Sequence, residues 1–331
     1  MEKNFLYEKI SFVVPAYNEK DNVGFLYEKI SNLMSSSLSD YDWELIFVND
    51  GSRDDTILRI REIAQRDGRV RYLNLSRNFG QQAALTAGLD YASGDAIVTL
   101  DCDLQDPPEL IKEMIDKWKM NFNIVYARRK VTHEGFLKKI TSKYYYKFLR
   151  KVSSVRMPRN VGDFRLIDKN VLQQLKGMRE KARYLRGMVA WTGFPYTYVD
   201  FNRPQRVSGK TGYSWQKMMK LAMDGLINFS TVPLKFGFFM GIISIILGLM
   251  MLTYMMGDIV LRNAEYPLYK FLVVILFMFM GFQFILMWFL GEYIGRIYEE
   301  SKDRPLYVVK EKGNFIESHS ENTEDTDTGK A

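Results

Sequence analysis

Apolar and polar positions alternate in blocks along the first 130 residues. Short apolar runs occupy 10–14, 44–48, 70–75, 96–100 and 123–127, each about the length of a buried strand. Between them, 21–34, 54–67, 78–93 and 108–120 carry the mixed pattern of helices with one apolar face. Strands alternating with helices predict an α/β fold, a mostly parallel Rossmann-like sheet covered by helices. Pro15 directly follows the first run and is expected to stop its pairing.

Further along, the pattern changes. Residues 236–256 and 271–290 contain no charge, and each is near the ~20 residues that cross a bilayer as a helix. Lys217, Lys220 and Lys235 precede the first run; Arg296, Lys302 and Arg304 follow the second. Basic flanks on both sides predict a transmembrane hairpin with both ends cytoplasmic. Two buried core helices are the alternative. The expected organisation is a cytosolic domain over 1–213, an interfacial helix over 214–233, transmembrane helices over 234–257 and 271–291, an external loop over 258–270, and a cytosolic tail over 292–331, disordered after about 314. A further interfacial helix is expected over 136–152. There Phe136, Ile140, Tyr144 and Phe148 fall four apart among six basic residues and no acid. A helix packed on the soluble domain has the same pattern. No apolar segment precedes the first strand, so the soluble part is expected to stay in the cytosol.

Composition narrows the chemistry. The formal net charge of +7 points to anionic partners, either phosphates or an anionic membrane surface. The one cysteine, Cys102, excludes an intramolecular disulfide. Only His133 and His319 are available, which argues against a histidine triad or zinc site. Basic residues cluster beside the apolar runs and no nucleic-acid reader motif accompanies them. No G-x-G-x-x-G follows the first strand, and no P-loop pattern occurs.

The densest candidate chemistry is Leu100-Asp101-Cys102-Asp103-Leu104-Gln105-Asp106, at the end of the fourth strand. Asp101, Asp103 and the Gln105 amide oxygen form a set of hard donors suited to Mg2+ or Mn2+ with positions left for substrate phosphates. An acidic surface turn stopped by Pro107 and Pro108 reads the same way. The loops Pro15-Ala16-Tyr17-Asn18-Glu19 and Asn49-Asp50-Gly51-Ser52-Arg53-Asp54-Asp55 leave the first two strands on the same carboxyl edge, where open α/β sheets bind ligands. Tyr17 can stack on a base and Asp50 can accept from a base or ribose; plain turn and cap chemistry uses the same residue types. Three polar loops on one edge favour a nucleotide. Asp163 and Arg165 are either a polar pair beside a sugar, Asp163 orienting a hydroxyl, or a buried ion pair. Arg206 and Lys210, with Gly209 and Gly212 beside them, have the make-up of a flexible loop that grips a phosphate, or of a solvated basic loop.

These runs, with Leu75-Ser76-Arg77-Asn78-Phe79-Gly80 and Gly291-Glu292-Tyr293-Ile294-Gly295-Arg296, resemble the glycosyltransferase family 2 (GT-A fold) enzymes that load a sugar onto a polyprenyl phosphate. Dolichyl-phosphate mannose synthases and GtrB-like bactoprenol glucosyltransferases belong to that group, and the two apolar runs favour the second. The resemblance implies Pro15, Tyr17, Glu19 and Asp50 around a nucleoside, and Asp101, Asp103 and Gln105 around a divalent metal. It also implies Arg128 or Arg129, beyond the fifth strand, on phosphate, and Arg206 in a mobile loop over the lipid phosphate. The implied reaction is inverting transfer of a single sugar from a nucleoside-diphosphate sugar, such as a UDP-sugar, to undecaprenyl or another polyprenyl phosphate at the inner face of the cell membrane. The product is a lipid-linked sugar for the cell envelope. A phosphate nucleophile is already anionic and needs positioning more than a base.

Two other functions share some of these features. A processive polysaccharide synthase carries a Q-x-x-R-W motif and more spans; Gln173-Gln174-Leu175-Lys176 lacks that ending. A non-catalytic membrane scaffold binding lipid phosphate has no need of intact Asp101, Asp103 and Gln105. Two isolated spans are expected to pack against other copies, giving a homo-oligomer, with a tetramer among the candidates.

Overall fold

The computed structural model describes residues 8–130, 158, 160–181, 183–202, 250, 253 and 268–315. Its elements run β1 (Lys9–Ala16), α1 (Asn22–Ser37), β2 (Asp42–Asn49), α2 (Thr56–Arg66), β3 (Val70–Leu75), α3 (Gln81–Tyr91) and β4 (Ala96–Thr99). A 3-10 turn (Pro108–Leu110), α4 (Ile111–Lys119), β5 (Ile124–Arg129), β6 (Val161–Asp168) and α5 (Lys169–Gly177) follow. The last are α6 (Leu185–Trp191), β7 (Tyr196–Phe201), α7 (Leu268–Ser301) and β8 (Val309–Gly313). The chain forms two compact units, the described residues of Met1–Val125, Asp163–Leu172 and Tyr307–Ala331 making one and those of Tyr126–Gly162 and Gln173–Leu306 the other.

The first unit is the expected α/β layer structure. Its strands lie in the order β6-β4-β1-β2-β3-β8. Pairing is parallel for β1 with β2, β1 with β4 and β2 with β3, and antiparallel for β4 with β6 and β3 with β8. The central strands are buried almost without interruption because helices cover the sheet, which is why they read as continuous apolar runs. α1 buries Val23, Leu26, Ile30 and Met34, and α4 buries Ile111, Met114, Ile115 and Trp118, one helix face each. α3 lies closest to the sheet. A Cβ on Gly88 would stand 2.3 Å from Val13 Cγ1, so only glycine permits that approach.

Several boundaries differ from the sequence reading. Pro15 does not stop pairing: β1 runs through it, with Pro15 opposite Val48 and Ala16 opposite Asn49. The reason is directional. The Val13 carbonyl accepts from Leu100 N–H and the Ala16 carbonyl from Asp50 N–H, so alternate residues face β4 and β2. Pro15 faces the β4 side beyond Val13, where β4 pairing has ended at Thr99, and its missing N–H costs no ladder bond. Arg128 and Arg129 lie inside β5 rather than beyond it. The expected tail over 292–331 includes the rest of α7 and then β8, which completes the sheet at β3. Glu311 on β8 receives hydrogen bonds from Arg61 and from Tyr72 Oη (2.7 Å), while Asn314 Nδ2 donates to the carbonyls of Ala64 (2.7 Å) and Val70 (2.8 Å).

In the second unit β7 lies beside β5, and the Lys130 N–H donates to the Phe201 carbonyl at 2.9 Å. Tyr196 packs edge-on against Tyr126, ring centroids 5.9 Å apart. α7 is a single helix of 34 residues. Lys181 joins its carboxyl end, donating from Nζ to Asp303 Oδ1 at 3.0 Å and to the Arg304 carbonyl at 2.6 Å. Among the described residues no helix is long and apolar enough to cross a membrane. The expected helices over 136–152 and 214–233, Arg206 and Lys210, and all of the first span but Met250 and Thr253 lie outside the described residues.

Candidate active site

Parallel pairing of β1, β2, β3 and β4 brings the loops after all four to one edge of the sheet. β6 runs the other way and therefore begins at that edge. The first two loops are laced together. Asn18, in the left-handed region at φ +56°, donates its N–H to Ser52 Oγ (3.0 Å) and accepts at Oδ1 from Arg53 N–H (2.9 Å). Glu19 N–H donates to Thr56 Oγ1 at 2.8 Å. Tyr17 stands 42% exposed at the rim of this lacing, open to a planar ligand.

Asp50 points inward. It is buried, and its two carboxylate oxygens accept the N–H groups of Phe79 (2.7 Å) and Gly80 (2.9 Å), the turn that opens α3. Burial raises its pKa, opposed by those two N–H groups and by Arg77. Gly51 beside it has φ +64°, and a Cβ there would lie 2.4 Å from the Arg77 carbonyl carbon. The Asp50-Gly51 pair is thus needed to let the β2 and β3 loops touch. Each Asp50 oxygen keeps a further acceptor position, since a carboxylate offers about four.

The acidic run forms a tight loop after β4. Gln105 N–H donates to Asp103 Oδ1 (3.1 Å), and Leu104 between them takes φ +59°. Asp101 N–H donates to Asp106 Oδ2 at 3.3 Å, and Asp101 Oδ1 accepts from Gln81 Nε2 at 2.8 Å. Gln105 is 4% exposed, and its Oε1 is buried without a hydrogen-bond partner. An orphaned amide oxygen is costly unless a ligand satisfies it. The Cys102 thiol, buried in the same loop, is pushed well up by burial and then by the charges of Glu19, Asp103 and Asp101. Glu19 from the β1 loop and both aspartates therefore share one neighbourhood, while Cys102 stays a neutral packing group. Among the described residues no three His, Cys, Asp or Glu side chains could hold a metal by themselves, so a donor set here has to include the Gln105 amide.

Asp163 and Arg165 form a buried ion pair, Nη2 to Oδ1 2.8 Å, each side chain 3% exposed. Thr99 pairs with Arg165 in register, and continuing that register sets Asp163 opposite Asp101. The Thr99 hydroxyl donates to the Asp163 carbonyl. Arg165 Nη1 is buried and has no partner. Arg128, in the second unit, donates from Nε (2.6 Å) and Nη2 (2.9 Å) to Asp200, with its guanidinium 4.4 Å from the Tyr198 ring centroid. Gln81 is the site residue that sequence reasoning passed over. Its signal was its place directly after Leu75-Ser76-Arg77-Asn78-Phe79-Gly80, a fourth loop on the same edge.

The family model for glycosyl transferase family 2 matches residues 11–176, which contain most of β1, all of β2 to β6 and every loop of this edge. The chain belongs to that family. The family 2 glycosyltransferase is 43% identical over 301 residues to the uncharacterized glycosyltransferase YkcC of Bacillus subtilis, covering 91% of this chain and 93% of the relative. It is 40% identical over 309 residues to the bactoprenol glucosyl transferase of Shigella phage SfV, covering 91% and 98%. It is 38% identical over 304 residues to a prophage bactoprenol glucosyl transferase homolog of Escherichia coli, covering 91% and 98%. The family resemblance read from the sequence is borne out. Among solved structures, mannosyl-3-phosphoglycerate synthase from Rubrobacter xylanophilus aligns at TM-score 0.46 and 15% identity over 66% of this chain and 71% of that one, a likeness too slight to bear on function.

Proposed function

We propose that this family 2 glycosyltransferase transfers one sugar from a nucleoside-diphosphate sugar, a UDP-sugar first among them, to a polyprenyl phosphate, with inversion at the anomeric carbon. The observation that carries this reading is the oxygen cluster at the end of β4, where Gln105 Oε1 is buried without a partner beside Asp101 and Asp103. The similarity to bactoprenol glucosyl transferases over nine-tenths of the chain supports the lipid acceptor.

The donor set fits Mg2+ or Mn2+: two carboxylates and an amide oxygen, all hard ligands. Asp101, Asp103 and Gln105 would hold the ion, which supplies positive charge against the leaving diphosphate. The rest is work for the chain's own side chains. Tyr17 stacks on the base at the exposed rim. Asp50 holds the α3 turn and keeps acceptor positions for the nucleoside. Arg165 holds the Asp163 carboxylate at 2.8 Å, and Asp163 orients a hydroxyl of the sugar or an oxygen of the acceptor. The lipid phosphate needs no base, and Arg206 and Lys210 grip it. One in-line displacement inverts the anomeric centre.

The membrane arrangement belongs to the same proposal, with the hairpin in the cell membrane and both chain ends in the cytoplasm. Twenty successive positions, 271–290, carry no charge. Leu272, Leu276, Phe279, Met287 and Leu290 are at least half exposed, an apolar surface that lipid would cover.

The test is transfer by the full-length chain in detergent. Labelled sugar nucleotides are offered singly with Mn2+ and a polyprenyl phosphate, and the lipid product is identified by mass and anomeric configuration. One donor is expected to yield a lipid-linked monosaccharide. Asp101→Ala with Asp103→Ala should cut the rate by roughly 10²–10⁴, equivalent to several kcal/mol of lost charge stabilisation. Unchanged turnover in that double variant, or a polymeric product, would overturn the reading.

A further inference from the structure

We propose that Gln81 is a positioning residue for the metal-binding carboxylate of Asp101, a proposal that rests on the metal reading above. Gln81 is the first residue of α3, and its Nε2 donates to Asp101 Oδ1 at 2.8 Å. Its backbone is fixed from both sides. Before it, Phe79 and Gly80 give their N–H groups to Asp50, and Asn78 Nδ2 donates to the Asp50 carbonyl at 3.1 Å. Gly80 takes φ +97°, open to glycine alone. After it, the N–H groups of Ala83 and Ala84 both donate to the Gly80 carbonyl at 3.0 Å. The buried carboxylate of Asp50 therefore anchors a turn whose next side chain reaches the acidic loop.

The chemistry of the donor suits the task. An amide N–H bonded to Oδ1 restrains rotation of the Asp101 carboxylate. Being neutral, the amide orients the carboxylate without discharging it. A lysine or arginine in its place would compete with the ion for the same charge. Such outer partners typically contribute 10–100-fold to metal affinity. Gln81 is exposed, so replacing it leaves no buried group unsatisfied on its own side.

The experiment measures Mn2+ binding by electron paramagnetic resonance of the free ion, using the full-length chain in detergent without substrate. Gln81→Ala and the isosteric Gln81→Met are each expected to raise the Mn2+ dissociation constant by about 10–100-fold. Thermal midpoints in chelator should match the wild type, and the metal activation constant for transfer should rise much more than kcat falls. Unchanged Mn2+ affinity in both Gln81 variants, alongside lost binding in Asp101→Ala, overturns the role of Gln81 and leaves the metal site standing. A wild-type chain that binds no Mn2+ overturns the metal reading and this proposal with it.

Discussion

The Asp163–Arg165 pair offers the sharpest separation of scaffold from chemistry. Both side chains are 3% exposed and meet at 2.8 Å, so solvent screening is slight. Replacing Arg165 by Met leaves a buried carboxylate without its counter-charge. Losing one member of such a pair costs about 3–5 kcal/mol. At ~2–4 °C per kcal/mol for a domain of this size, the thermal midpoint should fall by roughly 6–20 °C. Replacing both members removes two desolvation penalties together, so Asp163→Leu with Arg165→Met should recover most of that stability. Transfer activity should not follow. If Asp163 orients a reacting hydroxyl or phosphate oxygen, the double variant folds and remains inactive. Melting in detergent and lipid-linked sugar formation, measured on the wild type and both variants, give both axes. A loss below about 1 kcal/mol in Arg165→Met would refute the desolvation argument, since that is the range of an exposed pair. A stable double variant with wild-type turnover would remove Asp163 from the reaction.

Two further outcomes follow from buried groups elsewhere in the first unit. Glu44 is 1% exposed and receives Ser11 Oγ (2.5 Å), Ser93 N–H (2.8 Å) and Lys9 Nζ (3.0 Å). Burial alone would raise its pKa, but these partners hold it below the ordinary 4.5, so its contribution is full above that pH and disappears as pH falls through the lowered folded value. Glu44→Gln should cost about 3 kcal/mol at neutral pH and show a shallower acid loss than the wild type as the pH falls below the ordinary 4.5, read from melting midpoints; parallel profiles would exclude Glu44 as the acid-sensitive group. Gln105→Met deletes the orphaned Oε1. It should stabilise the metal-free chain by about 1 kcal/mol while weakening Mn2+ binding; a destabilised variant with intact Mn2+ affinity would show that the amide oxygen serves packing alone.

Much of the first unit is legible from residue order. Strands buried on both faces advertise themselves as apolar runs, because helices on each side leave no solvent face to mark by alternation. The polar loops after those runs then fall on one edge by the geometry of parallel pairing, which brings Tyr17, Asp50 and Asp101 together without any knowledge of side-chain position. Pro15 misled because the rule against proline in strands concerns a lost donor, and at the end of a strand the direction of that donor decides the matter. β8 was hidden for a different reason. Val308-Val309 is too short an apolar run to mark a strand, and Lys310, Glu311 and Lys312 after it are all charged. The place of β8 in the sheet comes from the open edge of β3 and from Arg61, 250 positions away from Glu311.

Residue order by itself determined the layer architecture, the shared loop edge, the acidic run at that edge and the family, because each depends on local periodicity or on short runs of adjacent residues. Only the tertiary structure decided which way the polar side chains turn: Asp50 inward to the α3 turn, Arg128 onto Asp200, Gln81 onto Asp101, and Arg165 into a buried pair with Asp163. A hydrogen bond or ion pair is settled by which donor and acceptor the packed backbone brings within about 3 Å, and for most of these the partner lies 20 to 72 residues away along the chain.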